Sequence, residues 1–283
     1  MGWQLTTNVA EFRREAGPCL AADPARHTVP LTVAETVRSH GPRALGTMDA
    51  RFGFWRRTAA GPVEAVYVQT PPRDPLLGPM PQVAARQLAE ALRGTRVEGV
   101  KGDEEPVRAF AEAWTAPAGP DGSWTLTRRS RLFRLGALVP PRTAPEGAAR
   151  RATAADVPLA AAWMSAFAAE AGLGPATDHT ANAERRVAHG GLYVWESGGR
   201  PVSMAAHSAP VGGQSRVAPV YTPPGLRGRG YAGAVTAAVS RAAQDAGAGQ
   251  VLLFADVANP TSTGLYRRLG YRPIADHVDV AFG

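Results

Sequence analysis

The spacing of apolar residues predicts a succession of short elements. Phe52-Gly-Phe-Trp-Arg-Arg and Glu64-Ala-Val-Tyr-Val-Gln69 are rich in β-forming residues and flank the turn signal Ala60-Gly61-Pro62, so two strands are expected. Ala84, Leu88 and Ala91 stand at i, i+4 and i+7 with Leu92 beside them, a helix that Gly94 ends. Val97 to Val100 reads as a short strand. Val107, Phe110, Ala111 and Trp114 share one helical face, and Ser123 to Leu135 reads as strand again.

Beyond residue 147 a similar pattern returns. A helix is expected from Ala155-Asp156 through Leu159, Trp163 and Phe167, stopped by Gly172 and Gly174-Pro175, with a second at Thr180 to His189. Strands are expected at 191–196 and 201–207, joined at Gly198-Gly199, and a third from Ser215 to Thr222. Tyr231 to Ala246 carries Val235, Val239 and Ala242 on one helical face. Val251-Leu-Leu-Phe-Ala-Asp256 is a buried central strand by its unbroken apolar run, Asn259 to Leu269 a short helix and Tyr271 to Phe282 a last strand. Between the halves, Leu138-Val-Pro-Pro-Arg-Thr-Ala-Pro-Glu-Gly147 has neither period. This divides the chain into residues 1–140, a linker 141–147 and residues 148–283. The expected class is α/β, with a mixed sheet in each of two similar domains.

Length and composition agree with two globular domains: 283 residues, 45% hydrophobic and 19% charged. One cysteine, Cys19, allows no internal disulfide and no multi-cysteine metal site, which suggests a reducing, intracellular setting. The beginning of the chain shows no basic region followed by an apolar run, and no apolar stretch approaches a membrane span, so a cytoplasmic protein is expected. The net charge of +7 would suit an anionic ligand. It rests almost entirely on scattered arginines. The densest runs, Arg128-Arg129-Ser-Arg131-Leu-Phe-Arg134 and Arg150-Arg151, are short, and no nucleic-acid fingerprint accompanies them.

Two segments carry candidate chemistry. In Val220-Tyr-Thr-Pro-Pro-Gly-Leu-Arg-Gly-Arg-Gly-Tyr-Ala232 a strand runs through glycines straight into a helix. Small residues let backbone N–H groups approach a ligand, and the helix start adds unpaired donors and the positive end of its dipole. The arrangement is an anion cradle or, read alone, a tight turn; it fits neither the Walker nor the dinucleotide pattern. In Asn259-Pro-Thr-Ser-Thr-Gly-Leu-Tyr-Arg-Arg-Leu-Gly-Tyr271, Asn259 suits an N-cap, Pro260 the first helical position and Gly270 the stop. Leu265 and Leu269 would face the core, leaving Tyr266 rotated away, either as a packing residue or with its hydroxyl directed elsewhere.

Together and in this order the segments resemble the GNAT superfamily of acyl-CoA-dependent N-acyltransferases. Arg227-Gly-Arg-Gly230-Tyr-Ala232 is similar to that family's R-x-x-G-x-G/A loop, and Asn259-Pro-Thr-Ser262 with Leu265-Tyr266 and Leu269-Gly270-Tyr271 to its N-x-x-S…LY…xGY segment. The resemblance covers residues 148–283. It implies acetyl-CoA or CoA as ligand, with the pyrophosphate on backbone groups of Leu226, Arg227, Gly228, Arg229, Gly230, Tyr231 and Ala232, and Arg227 and Arg229 as counter-charges. It further implies the pantetheine arm along Val220, Tyr221 and Thr222, contacts from Asn259 and Ser262, and Tyr266 as the general acid that protonates the leaving thiolate. The glutamate that the family often places on the strand before the loop is missing from Ser215 to Thr222. Candidate bases are His207, the first choice because it ends a strand of the expected cleft, then Glu196 and Glu170.

In the first half, Glu64 to Pro72 looks like the same strand end, but Arg73-Asp-Pro-Leu-Leu-Gly-Pro-Met-Pro81 offers no glycine cradle and its prolines lack N–H donors. Tandem GNAT-like domains are therefore expected, the first degenerate, without CoA, shaping an acceptor pocket with Trp55, Tyr67 and Trp114 as core or wall. The expected activity is acetyl transfer to a primary amine, with a small-molecule acceptor and neither nucleic acid nor membrane as partner. The alternatives are a protein N-acetyltransferase and an acyl-CoA sensor without turnover.

Overall fold

The computed structural model describes residues 2–172 and 178–283, with only the backbone at 120 and 121; the expected helix stop at Gly174-Pro175 lies outside the described residues. The chain divides into two compact units. Met1–Leu132, Ala255–Ala258 and Ile274–Gly283 form the first, and Phe133–Phe254 with Asn259–Pro273 the second.

Both run through one order of elements. The first has strand β1 (Gly2–Thr6), helices α1 (Val9–Ala22) and α2 (Thr28–His40), strands β2 (Arg51–Arg56), β3 (Val63–Gln69) and β4 (Leu76–Leu77), helix α3 (Gln82–Ala91), strand β5 (Gly99–Asp103), helix α4 (Glu104–Thr115) and strand β6 (Trp124–Leu135). The second repeats this as β7 (Ala148–Arg151), α5 (Val157–Glu170), α6 (Thr180–Ala188), β8 (Leu192–Ser197), β9 (Arg200–His207), β10 (Gln214–Tyr221), α7 (Tyr231–Asp245), β11 (Gln250–Asp256), α8 (Pro260–Arg268) and β12 (Tyr271–Phe282). Pairing repeats as well. β1 to β4 are antiparallel in turn and β4 is parallel to β5, as β7 to β10 are antiparallel and β10 is parallel to β11. The tandem α/β architecture is the one the sequence pattern suggested.

The final strand departs from simple succession. β12 begins in the second unit, but from Ile274 onward it belongs to the first, pairing with β5 from His277↔Asp103 to Ala281↔Gly99. Val278 and Val280 thereby enter the first unit's core beside Leu88 and Phe110. The second unit's core lies where α5 and α6 cover the sheet, with Ala160, Met164 and Ala183 against Leu192, Val194, Met204, Ala206 and Tyr221. Among the described residues no helix is long and apolar enough to cross a membrane.

The structure also corrects a correspondence between the halves. Glu64 to Gln69 lies in β3, the third strand of its unit, whereas Val220-Tyr221 ends the fourth. The counterpart of β10 is β4, two residues long and hidden between prolines, and only residues 78–81 connect it to α3. Pro79 and Pro81 take half of that connection, so it presents few N–H donors. Trp55 and Tyr67 are core residues, each 1% exposed; Trp114 packs against the same core from its edge.

Candidate functional site

In the second unit β10 and β11 diverge. They pair only from Gln214↔Gln250 to Arg216↔Leu252, while β10 continues along β9 to Tyr221↔Met204 after a register shift between Val217 and Val220. Past Arg216 the edge of β10 that faced β11 is released from the ladder, which leaves strand groups able to bond an amide-bearing ligand. Ser203, the one hydroxyl residue in an otherwise apolar stretch of β9, donates its Oγ to the Tyr221 carbonyl at 3.0 Å and lies 2.8 Å from Thr222 Oγ1, which fixes the end of β10.

From Thr222 the chain makes a 3₁₀ turn, Pro224–Leu226, and reaches α7 through Gly228 and Gly230, whose φ angles of 78° and 84° are left-handed. A side chain at either would be strained. The first helical bond is from Ala234 N to the Gly230 carbonyl, 3.1 Å. Among the described residues, the N–H groups of Gly228 through Gly233 donate to no group of the chain. Six successive donors at the positive end of a fifteen-residue helix are what a pyrophosphate requires, so the residues present fit that group. Gly233 has a separate role: a Cβ there would stand 3.1 Å from Leu265 Cδ1, so its lack of a side chain lets α8 approach the first turn of α7.

The two loop arginines differ. Arg227 donates Nε to the Thr222 carbonyl at 2.9 Å and Nη2 to Glu170 Oε2 at 2.6 Å, so its charge is already paired within the chain at the surface. Arg229 is exposed and reaches only the Gly225 carbonyl, 3.4 Å, which leaves it as the counter-charge available to an anion. Glu170 Oε1 also accepts a bond from the Tyr221 hydroxyl at 3.1 Å, joining the end of α5 to the end of β10. This Glu170–Tyr221–Arg227 group was hidden from the sequence, where its members lie 51 and 57 residues apart.

On α8, Asn259 caps the helix through a bond from Ser262 N to its Oδ1, 3.0 Å, as expected for Asn before Pro. Both residues stand at the helix start, shortly after the end of β11 at Asp256. Leu269 is buried at 2% exposure as expected, but Tyr266, expected to be rotated away from the core, is 9% exposed and more buried than Leu265, because its ring packs edge-on against Tyr271 with centroids 6.0 Å apart. Burial pushes its phenol up to about 12, so it holds its proton throughout the neutral range. Among the described residues no hydrogen bond engages that hydroxyl.

The candidate bases separate. His207 pairs with Val217, four residues before Tyr221 or about 13 Å along the strand. Its Nδ1 lies 2.9 Å from the Ser208 carbonyl, and burial, aided by Arg186 and Arg151, pulls its pKa down. Glu196 accepts from Arg150 at 2.7 Å within a cluster that includes Asp156. Of the three, the structure brings only Glu170 to the Tyr221 end of β10.

Residues 159–271 match the model of the acetyltransferase (GNAT) family. No curated protein matches the chain. A solved Drosophila protein superposes with a TM-score of 0.69 at 14% identity, over 99% of this chain and 98% of its own. A GNAT-family acetyltransferase from Colwellia psychrerythraea gives 0.60 at 12% identity over 100% and 99%, and a GCN5-related N-acetyltransferase from Sphaerobacter thermophilus 0.59 at 17% over 98% and 94%. At these identities the likeness is one of fold, and it extends over both units.

Proposed function

We propose, from the match of residues 159–271 to the acetyltransferase (GNAT) family model, that the protein is an acyltransferase that transfers an acetyl group from acetyl-CoA to the primary amine of a small molecule. The observation that carries this reading is the row of undonated N–H groups from Gly228 to Gly233, which follows the stretch of β10 that is released from β11. Those groups, with Arg229, would hold the pyrophosphate, and the released edge at Val220 to Thr222 would hold the pantetheine arm. Asn259 and Ser262 would border that arm from the start of α8.

When bound, acetyl-CoA supplies an activated thioester carbonyl. The chain's own residues orient the two reactants and move two protons. Tyr266 Oη holds a proton at neutral pH and is free to give it to the thiolate released as the new C–N bond forms and the C–S bond breaks. Glu170, at the Tyr221 hydroxyl, is the carboxylate positioned to take the proton that the amine sheds. Much of the rate would come from orientation in the strand cleft.

The test is release of free thiol from acetyl-CoA across a library of small amines, run beside a thermal-shift titration with acetyl-CoA. The reading expects a raised melting midpoint and thiol release with at least one amine. A raised midpoint with no release from any amine would make the protein a sensor, and no rise at saturating acetyl-CoA would overturn CoA binding itself.

A further inference from the structure

The reading above puts the reacting groups at the Tyr221 end of β10 and leaves the body of the acceptor unplaced. The helix beside that end, α5, carries a single charged residue, Glu170. A helix that lays one side on a sheet ordinarily turns charged and polar side chains to water. On α5 every solvent-reaching position before Glu170 is apolar except Ser165, whose hydroxyl bonds back to the Ala161 carbonyl at 3.1 Å. The two largest of these side chains are Trp163 and Phe167, both half-buried. With Glu170 they stand at i, i+4 and i+7 and share one stripe of the helix. That stripe runs along Tyr221: Trp163 meets its ring with centroids 6.1 Å apart, and Glu170 Oε1 accepts from its hydroxyl at 3.1 Å. Phe167, between the two, meets no other aromatic ring among the described residues, although it packs at the edge of the same core. Trp163 Nε1 likewise donates to no group of the described chain, whereas Trp3, Trp55 and Trp195 give theirs to Ala84, Gln87 and Glu146.

Two aromatic side chains and a carboxylate on one stripe discriminate between kinds of amine. An apolar body laid over Trp163 and Phe167 takes itself and their exposed edges out of water, which is favourable. Sugar hydroxyls or a second carboxylate laid there would lose their water and find no partner on the stripe. Glu170 suits the other end of such a molecule. One bond from Tyr221 and one from Arg227 leave each of its oxygens a further lone pair for an amine N–H. Spacing sets the length. At the helical rise, Phe167 lies about 4.5 Å and Trp163 about 10.5 Å along α5 from Glu170. A ring two carbons from a nitrogen spans the shorter distance, and a bicyclic body extends toward the longer. We propose that the acceptor is a primary amine carried on an aromatic body, with its ring over Phe167 and Trp163 and its nitrogen at Glu170. The fate of that nitrogen rests on the acetyl-transfer reading; the aromatic surface does not.

The experiment has a binding arm and a turnover arm, both begun on the wild type. With saturating CoA present, 2-phenylethylamine and ethanolamine are titrated separately against the melting midpoint, and thiol release from acetyl-CoA is then measured with each. The aromatic stripe predicts a midpoint rise with 2-phenylethylamine alone, and a kcat/KM about 10- to 100-fold above that for ethanolamine, the worth of burying one ring. Phe167→Ala should raise KM for 2-phenylethylamine about 10-fold or more with a smaller change in kcat, and Phe167→Leu should recover part of the loss. In both variants the rise on adding CoA should be retained. The wild-type comparison decides the matter even where Phe167→Ala fails to fold. No rise with 2-phenylethylamine, or equal use of the two amines, would overturn the aromatic acceptor and leave acetyl transfer standing wherever CoA raises the midpoint and any amine releases thiol. A 2-phenylethylamine rise that is weakened in Phe167→Leu, in a protein whose midpoint CoA does not move, would keep the aromatic site and overturn the acetyl-transfer reading.

Discussion

At the scale of single residues, two groups are arranged for work rather than for stability: the Tyr266 hydroxyl, on a buried ring and with no bond to the chain among the described residues, and the Gly230 N–H, at the head of α7 where φ is left-handed. Tyr266→Phe keeps the ring packed on Tyr271 and removes only the proton donor. Turnover is expected to fall about 10²- to 10⁴-fold while the acetyl-CoA midpoint shift is retained, as thiol-release kinetics and thermal titration would record. An equal loss of binding would place the hydroxyl in holding CoA instead. Gly230→Ala has space, since its Cβ would stand 3.8 Å from Pro145, but not the conformation. The variant should lose about 1 kcal/mol of stability from the positive φ and bind CoA at least about tenfold more weakly, a split that urea unfolding and calorimetric titration would separate. The sequence disclosed both positions through loop and helix patterns. Glu170 it offered only as the last of three candidate bases; the place beside Tyr221 could not be read, because Glu170 reaches it only once α5 is packed on β10.

At the scale of elements, the start of α5 shows what fixes the frame around the site. Thr153 and Asp156 form a capping box, and Arg150 of β7 donates to both Asp156 oxygens at 2.8 and 2.9 Å. The Arg150 guanidinium first, and then bonds from Thr153, hold the Asp156 carboxyl down at about 2. A depressed carboxylate pKa stabilises above the unfolded value and is lost as pH falls through the folded one. Asp156→Asn should therefore cost about 2 kcal/mol at pH 7, and the gap from wild type should close as pH drops from about 4 to about 2. A constant gap in urea melts across that range would mean that the amide disturbs packing and that charge is not the cause. Elements with an apolar period of five or more positions were legible, from β2 through α4 and from α5 through β12. Those missed had other signals. β4 has two residues and β7 four, too few for a period. In α1, Phe12, Ala16 and Leu20 do fall on one buried face after the Asn8 cap, but Gly17-Pro18 interrupts the helical run as a breaker would.

At the scale of the whole chain, the duplication of element order explains why a family model matches one stretch while fold likeness extends across both: the halves keep strand order and helix placement but differ at the fourth strand. Shortening β4 to two residues and its connection to four removes both the released edge and the donor row, so a CoA site is expected in the second unit alone. The last strand adds a dependence that runs against sequence order. Val278 is fully buried in the first unit's core with Leu88 and Phe110, and on the same strand His277 Nε2 lies 3.2 Å from Asp103 Oδ1, where Arg26 also binds. Burial would raise the Asp103 carboxyl, but the neighbouring His277 imidazole and then Arg26 outweigh it and hold the pKa below the usual range. Val278→Ala removes two methyl groups from a sealed core and should cost about 2 kcal/mol, cavity included. That cost should appear far from the substitution in sequence: amide exchange should accelerate across α3 and α4, residues 82–115, and leave α5 unchanged. Acceleration confined to β12 would mean that the strand frays independently, and equal acceleration in α5 would mean that the two units unfold as one.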